Sequence, residues 1–386
     1  MPTVASYCTT FLKPEMLHIY RQVSCLNRYE TFVICKERMC EQKFPFERVE
    51  IQPRVRKNFL RRFWLKYVKK EPPIVYRGEY GVINRILEKR EADLIHVYFG
   101  HTGVHLLPFM LRSPLPCVVS FHGMDIQPRE DRPGYVETLK SMLQFLPLVM
   151  ARSHSLKDRL IELGCPPEKV RINRTGIPMH AFPAVDRPFP ADGKWKFVQA
   201  CRLIEKKGLD VALKSFAEFV KEFPEATFTI AGDGPLLESL KLLAAELGIA
   251  ANVHFAGFLT EKQLCALYHE SHAFLHPSQM TADQNQEGIP NSMLEAMATG
   301  LPVLATYHGG IPEAVTDNVT GLLVEERDGD RLLDNMKRLA HEEGLWQRIG
   351  QAAAEDVREN FEQTAQIAKL EAIYDEAIRL GRPQSR

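Results

Sequence analysis

The chain lacks the features on which several simple functional readings depend. Its 386 residues include 8 cysteines, and none of them forms a C-x-x-C pair. Cys35 and Cys40 are the nearest neighbours, and no Cys or His pair follows them at zinc spacing. All eight are expected as reduced thiols of a cytosolic protein. Lysine plus arginine equals aspartate plus glutamate at 49 each, which excludes a general nucleic-acid binder. There is no run of about 18 apolar residues, so no membrane-spanning helix is expected. Residues Met1 to Lys13 lack the basic start and apolar run of a secretory leader. The D-x-D at Asp328-Gly329-Asp330 precedes a helical pattern and reads as turn and N-cap rather than a metal-binding pair. Asp283 has no carboxylate partner before Glu287. No metal and no cofactor are therefore expected.

What is present is a regular alternation of short buried strands and amphipathic helices. Strand patterns fall at Val4–Cys8, Asp93–Tyr98, Cys117–Phe121 and Leu148–Ala151, and again at Trp195–Cys201, Thr227–Ala231 and His272–His276. Helical patterns separate them, as at Lys13–Leu26, Val104–Leu111 and Leu209–Phe223. Such alternation predicts parallel sheets covered on both faces. Between the two series, Pro178, Pro183, Pro188 and Pro190 mark an extended crossover. The expected organisation is an N-terminal domain over 1–178, a linker over 179–193, and a second domain over 194–361. A final segment, 362–386, carries a helix that crosses back to the first domain.

The chemistry concentrates between Asn285 and Glu313. Glu287 and Glu295 stand eight positions apart. On one continuous helix they would be roughly 12 Å apart. Gly288 and Pro290 break that helix, and Pro290 suits a helix start with Asn291 and Ser292 as capping residues. Glu287 is thus predicted in a loop and Glu295 about one turn into a helix that stops at Gly300-Leu301-Pro302. A helix start attracts anions through its free amides. A carboxylate beside such a site suits sugar hydroxyls instead.

The run E-G-I-P-N-S-M-L-E-A-M-A-T-G-L-P-V resembles the E-x7-E signature of retaining glycosyltransferases of family 4, in the colanic-acid and exopolysaccharide branch. Companion segments resemble other motifs of that family: D-L-I-H-V-Y-F-G, S-F-H-G-M-D-I, Arg202-Leu203-Ile204-Glu205-Lys206-Lys207-Gly208, and Gly232-Asp233-Gly234-Pro235. The resemblance implies an α/β chain of the GT-B fold: two Rossmann-like domains with parallel sheets facing an interdomain cleft. It implies transfer of a sugar from a UDP-, GDP- or ADP-sugar to an acceptor hydroxyl, with retention and without metal, in cell-surface polysaccharide or glycolipid synthesis.

By the same resemblance, Arg202 and Lys207 hold the diphosphate, where fixed cations stabilise the departing negative charge. Glu295 takes the ribose hydroxyls. Glu287, with the Gly288 and Ile289 amides, holds the sugar, and His122 contacts it from the other side. Gly123, Gly232, Gly234, Pro290, Asn291 and Ser292 complete the donor pocket, and the backbone at Phe258 and Leu259 meets the base. Lys206 competes with Lys207 for its assignment. Cys201 stands where the family usually has glycine. The loop after the first strand, Cys8 to Pro14, lacks the family's glycines. Glu287→Ala and Lys207→Ala are expected to abolish transfer while leaving the fold intact, since both residues lie in loops.

Residues Arg54 to Lys70 contain eight basic residues and no acid. On a helix, Phe59, Leu60, Phe63, Trp64, Tyr67 and Val68 take one half, and Arg61, Arg62, Lys66 and Lys69 the other. Two readings fit: a helix packed on the N-terminal sheet by its apolar half, or docking on an anionic membrane surface. The protein is accordingly expected in the cytoplasm, at the inner membrane face in the second case. Two rival functions remain at this point, a sugar-nucleotide epimerase on the same fold and a non-catalytic scaffold. No acid–base pair for epimerisation is identifiable.

Overall fold

The computed structural model describes residues 1–13, 16–53, 59–68, 80–126, 134–282 and 287–381. The chain divides into two compact units, residues 1–176 with 364–386, and residues 177–363.

The first unit is built on a parallel sheet. In chain order its elements are β1 (Thr3–Tyr7), β2 (Thr10–Phe11), α1 (Leu17–Ser24), β3 (Glu30–Cys35), β4 (Glu37–Arg38), β5 (Val49–Ile51), α2 (Phe59–Phe63), α3 (Tyr80–Lys89), β6 (Leu94–Tyr98), α4 (Gly100–Met110), β7 (Cys117–Phe121), α5 (Tyr135–Phe145), β8 (Leu148–Ala151), α6 (His154–Glu162) and β9 (Val170–Ile172). Among the described residues the main sheet has seven strands, ordered β5-β3-β1-β6-β7-β8-β9. The order reverses between β1 and β6. That switch point, outside the carboxyl ends of the strands, is where open α/β sheets bind ligands. Thr9, past β1, and Thr102, past β6, approach there to 3.5 Å.

Both faces of this sheet are covered, so its strands read as continuous apolar runs. Ala5, Tyr7, Ile95, Val97, Val119 and Phe121 share one core with α3, α4 and α5. Alternate residues Val4, Leu94, Val118 and Leu148 face the other way. They pack on Leu370, Ile373, Tyr374 and Ala377 of the last helix. Charge fixes that helix in place. The Glu371 carboxylate accepts the Asn27 and Arg28 amides at 2.6 and 2.7 Å, and Arg171 pairs with Glu376 at 2.5 Å.

The second unit repeats the plan with β10 (Lys196–Ala200), α7 (Leu209–Val220), β11 (Thr227–Ala231), α8 (Leu237–Glu246), β12 (Val253–Gly257), α9 (Glu261–Glu270), β13 (Ala273–His276), α10 (Asn291–Ala298), β14 (Val303–Thr306), β15 (Leu322–Val324), α11 (Gly329–His341) and α12 (Glu343–Asn360). The last helix of the chain, α13 (Gln363–Leu380), packs in the first unit as described. The six described strands run β12-β11-β10-β13-β14-β15, all parallel, with the switch point between β10 and β13. Separate cores lie on the two faces.

Three local outcomes differ from the sequence reading. The helix patterned at Val104–Leu111 starts earlier, since Gly100–Gly103 is the first turn of α4. The proline-rich stretch after Gly176 is extended yet packed within the second unit: Ile177 and Phe182 are fully buried, and Arg187 donates to the Thr299 carbonyl and hydroxyl. Residues 59–68 are helical, with a π-helical turn over Trp64–Val68, but their apolar side chains do not pack on the sheet. Phe59, Leu60, Phe63, Trp64, Tyr67 and Val68 are all at least half exposed. The side chains of Arg61, Arg62 and Lys66, and residues 54–58, Lys69 and Lys70, lie outside the described residues, as does Asp283.

Candidate active site

In the second unit the residues singled out from sequence converge on the switch point. β10 ends at Ala200, and Arg202 follows it on an exposed turn. Lys206 and Lys207 sit in one helical turn, Glu205–Lys207, closed by Gly208. Gly208 has φ +59°, and a Cβ there would lie 1.8 Å from the Pro277 carbonyl oxygen, so only glycine lets this turn meet the end of β13. Beyond β13, Ser278 reaches the Glu287 carboxylate at 3.5 Å.

Glu287 is the centre of this constellation. It lies in a loop, as predicted, but it is buried, only 7% exposed. One carboxylate oxygen pairs with Lys207 Nζ and the other with Lys206 Nζ at 3.5 Å. Burial pushes the carboxyl pKa up, but the two lysines outweigh it and hold the group well below the usual carboxylate range. Lys206, first seen as a competitor to Lys207, therefore shares the same partner. Burial lowers the Lys206 pKa, with Glu287 opposing that shift.

The loop carrying Glu287 is fixed by residues the sequence reading passed over. The Glu287 amide donates to His308 Nε2 at 3.0 Å, and His308 Nδ1 meets Glu326 Oε1 at 2.6 Å. A ring nitrogen that accepts an amide carries no hydrogen, so the His308 hydrogen is on Nδ1 and points at Glu326. The other Glu326 oxygen accepts the Met280 amide at 2.7 Å. Gly309, with φ +55°, lies so close that a Cβ would stand 2.3 Å from the Glu287 carbonyl oxygen. His276, at the end of β13, is fully buried beside this cluster, and burial takes its pKa down to about 3.

The helix after Glu287 begins as expected, with Pro290 at its N-cap and Asn291 its first residue. Ser292 does not cap it. Its hydroxyl donates to the Ala200 carbonyl at 2.6 Å and ties the helix start to the end of β10. Glu295 is buried one turn in, and the helix closes at Gly300 through a Leu301 amide bond to Ala296. Gly288 and Ile289 continue from Glu287, and the Gly310 amide donates to the Glu287 carbonyl at 3.3 Å. Gly232 and Gly234 follow β11. The Gly232 amide bonds Gly257, and Leu203 bonds Asp233, so this turn lies against the Arg202 loop. Phe258 is 55% exposed and Leu259 half-buried past β12. Asp328 caps α11 by accepting the Arg331 amide at 3.0 Å. Among the described residues no group of three or more His, Cys, Asp or Glu could hold a metal ion.

His122 belongs to the first unit. It follows β7, and its amide donates to Asp125 Oδ1 at 2.8 Å, while Asp125 Oδ2 accepts the Gly100 amide at 2.7 Å. Its ring lies among Phe99, His18 and Tyr98, with centroids 4.8, 5.1 and 6.0 Å away. Burial, then His18 and Arg152, hold its pKa well below the ordinary histidine value. Gly123 follows directly.

Two Rossmann-like units, with paired lysines and a carboxylate at a switch point, define the GT-B class. Over 98% of the chain the fold matches a glycosyltransferase from Rickettsia africae, at 18% identity and TM-score 0.78, covering 99% of that structure. It also matches Anabaena HepE solved with UDP, at 16% identity and TM-score 0.77, over 97% of this chain and 100% of that one. Family models for glycosyl transferases group 1 and glycosyltransferase family 4 match residues 185–356 and 27–180. A Salmonella typhimurium protein described as a colanic acid biosynthesis glycosyltransferase is 32% identical over 72% of this chain and 70% of its own length. The amylovoran biosynthesis glycosyltransferase of Erwinia amylovora is 31% identical over 74% and 70%. The chain belongs to glycosyltransferase family 4 and is a glycosyltransferase.

Proposed function

We propose that this glycosyltransferase moves a sugar from a nucleoside-diphosphate sugar to an acceptor hydroxyl with retention of configuration, in the synthesis of a cell-surface polysaccharide or glycolipid. The observation that carries the reading is the buried Glu287 between Lys206 and Lys207 at the β10/β13 switch point. Without a ligand the lysines face a carboxylate. An incoming diphosphate offers Lys207 and Arg202 a stronger partner, and Glu287 is then released to sugar hydroxyls. The free amides at the start of α10 add to the anion site. Glu295 takes the ribose and His122 the transferred sugar. In the step itself the C1–O bond to the diphosphate breaks and a C1–O bond to the acceptor forms on the same face. The acceptor proton passes to the departing phosphate oxygen, so no separate base, metal or cofactor enters. The two curated relatives, named for colanic acid and amylovoran synthesis, support the polysaccharide assignment.

The test is a thermal-shift panel of UDP, GDP and ADP and their sugars on wild type and on Arg202→Ala. At a hundredfold excess over Kd one nucleotide should stabilise the wild type by about 2.7 kcal/mol. That gain should be lost in the variant. No stabilisation by any member would contradict the reading and favour a scaffold.

The acceptor side is proposed to meet an anionic membrane surface at residues 54–70, which places the enzyme in the cytoplasm at the inner leaflet. Six apolar or aromatic side chains stand exposed there, in a sequence of eight basic residues and no acid. Among the described residues no helix is long and apolar enough to cross a membrane. Co-sedimentation with vesicles rich in phosphatidylglycerol, and not with phosphatidylcholine vesicles, is the expected result. Trp64→Ser with Phe63→Ser should abolish it. Equal or absent binding to both vesicle types would contradict the proposal.

A further inference from the structure

Glu326 and Arg327 lie between β15 and α11, outside every motif singled out from sequence. Their side chains hold the two halves of the carboxylate–lysine cluster. Glu326 holds the stretch between β13 and α10 that carries Glu287. Its Oε2 accepts the Met280 amide at 2.7 Å. Its Oε1 meets His308 Nδ1 at 2.6 Å, and His308 Nε2 meets the Glu287 amide at 3.0 Å. Arg327 reaches toward the lysine turn. Its guanidinium donates to the Met280 carbonyl at 2.9 Å and to Gln279 Oε1 at 3.3 Å. The buried Gln279 grips that turn twice. Its amide donates to the Lys206 carbonyl at 2.9 Å, and its Nε2 donates to the Glu205 carbonyl at 3.1 Å.

Every direction in this network is fixed. Backbone amides and guanidinium groups only donate, and carbonyls and carboxylates only accept. The Glu287 amide makes His308 Nε2 an acceptor, so the one hydrogen of the neutral ring sits on Nδ1 and goes to Glu326. Both partners of Glu326 are therefore donors, one at each oxygen. A glutamine at 326 accepts from one of them and turns an N–H toward the other. His308 has the opposite need, one hydrogen to give and one lone pair to offer. A glutamine at 308 has both.

We infer that Glu326 and Arg327 are positioning residues for sugar transfer, which set the Glu287 loop in register with the Lys206–Lys207 turn, Glu326 through His308 and Arg327 through Gln279. The register is what the ion pairs need. Glu287 and Lys207 are eighty positions apart, on separate loops. Attraction between their charges brings the loops together without fixing how either backbone lies, whereas hydrogen bonds to backbone groups are directional. A misplacement of about 1 Å costs on the order of 10²-fold in rate. Each of the two residues acts through another side chain, so its effect is on placement. The hydrogen-bond register stands on geometry alone, whereas its consequence for sugar transfer rests on the proposed transferase function.

The test has two arms, both on the full chain. The first is a long-range proton–nitrogen correlation spectrum of ¹⁵N-histidine protein without ligand, with His308→Gln to assign the ring signals. His308 should show a protonated Nδ1 and an unprotonated Nε2, and the Nδ1 signal should shift in Glu326→Ala as the carboxylate is lost. The reverse tautomer, or an unmoved Nδ1, would overturn the register, whatever the enzyme binds. The second arm is turnover of the sugar nucleotide chosen by the thermal panel. Glu326→Gln and Glu326→Ala should each lower kcat about 10²-fold while the Kd of the bare nucleotide changes little. Arg327→Leu, which loosens the lysine turn instead, should weaken the bare nucleotide about tenfold. His308→Gln should recover most of the kcat lost in His308→Ala, which guards against a Glu326 variant that folds poorly. The double variant Glu326→Ala with His308→Ala should lose no more than the worse single one, because both act on one bond line. Wild-type kcat in folded Glu326→Gln, no recovery in His308→Gln, or additive losses in the double variant would overturn the positioning role. If wild type turns over no sugar nucleotide, the transferase function falls and the first arm alone decides the register.

Discussion

At the residue scale, Glu287 is the point where sequence and structure diverge most usefully. Its loop position was legible from Gly288 and Pro290. Its burial was not, because that depends on two lysines eighty positions away closing over it. The expectation that Glu287→Ala leaves the fold untouched is therefore revised. Removing one partner of a buried pair strands the other charge, at about 3–5 kcal/mol. We expect Glu287→Gln to lose transfer and to lower Tm by roughly 6 °C or more for a unit of this size, measured by calorimetry on the ligand-free protein. The pH dependence has a definite sign. The folded-state pKa lies below the unfolded one, so the stabilisation is complete above the ordinary carboxylate range. It is lost as pH falls through the folded value. The Tm gap between wild type and Glu287→Gln should be flat from pH 8 to about 5 and shrink below about pH 4. A gap that grew on acidification would contradict the ion pair.

His122 supplies a second pH statement. Burial comes first among the causes of its low pKa, followed by His18, Arg152, His96 and His101, while Asp125 accepts its amide. The ring stays neutral through the working range. A pH–rate profile should carry no His122 limb between pH 5 and 8, and one that disappeared in His122→Gln would refute this.

At the scale of elements, the strands were readable because parallel, doubly covered strands are continuous apolar runs. The helix stop at Gly300 was readable from its Gly-Leu-Pro sequence. The start of α10 was read only in part. Ser292 has the residue type of a cap, yet its hydroxyl serves the Ala200 carbonyl across the sheet, a contact that local spacing cannot reveal. The His308–Glu326 pair that holds the Glu287 loop was missed for the same reason. Its two members lie on different loops, eighteen positions apart, and a glycine pair follows the histidine. The loop's fit makes a sharp prediction. Gly309→Ala places a Cβ against the Glu287 carbonyl at a positive φ, so the loop must move. Donor turnover should fall at least 10²-fold while nucleotide binding at Arg202 changes little. Near-wild-type turnover in a folded Gly309→Ala would show that the loop position is not needed. His308→Ala should act in the same direction, since it leaves the Glu287 amide without its acceptor at about 1–3 kcal/mol.

At the scale of the whole molecule, the repeated βα units predicted two parallel sheets, but not their strand order. The reversal at β1/β6 and at β10/β13 is set by which crossover returns to which side. A single sequence does not record that choice. It is this reversal that brings the turn after β10 and the loop after β13 together in the second unit. The last helix is the other large-scale feature. It covers Val4, Leu94 and Val118, and the hydroxyl of its Tyr374 meets the buried His96 Nδ1 at 2.7 Å. A chain cut before Thr364 should expose that face and leave the first unit unable to fold, seen as loss of the cooperative transition assigned to residues 1–176. A truncated chain that kept both transitions would contradict the assignment of α13 to the first core. The central claim, retaining transfer from a nucleotide sugar, is tested most directly at the anomeric carbon. Proton NMR can follow the first minutes of turnover of the α-linked donor selected by thermal shift, with water or a sugar alcohol as acceptor. An α-configured first product is the expected result, and a β-configured one would contradict the account.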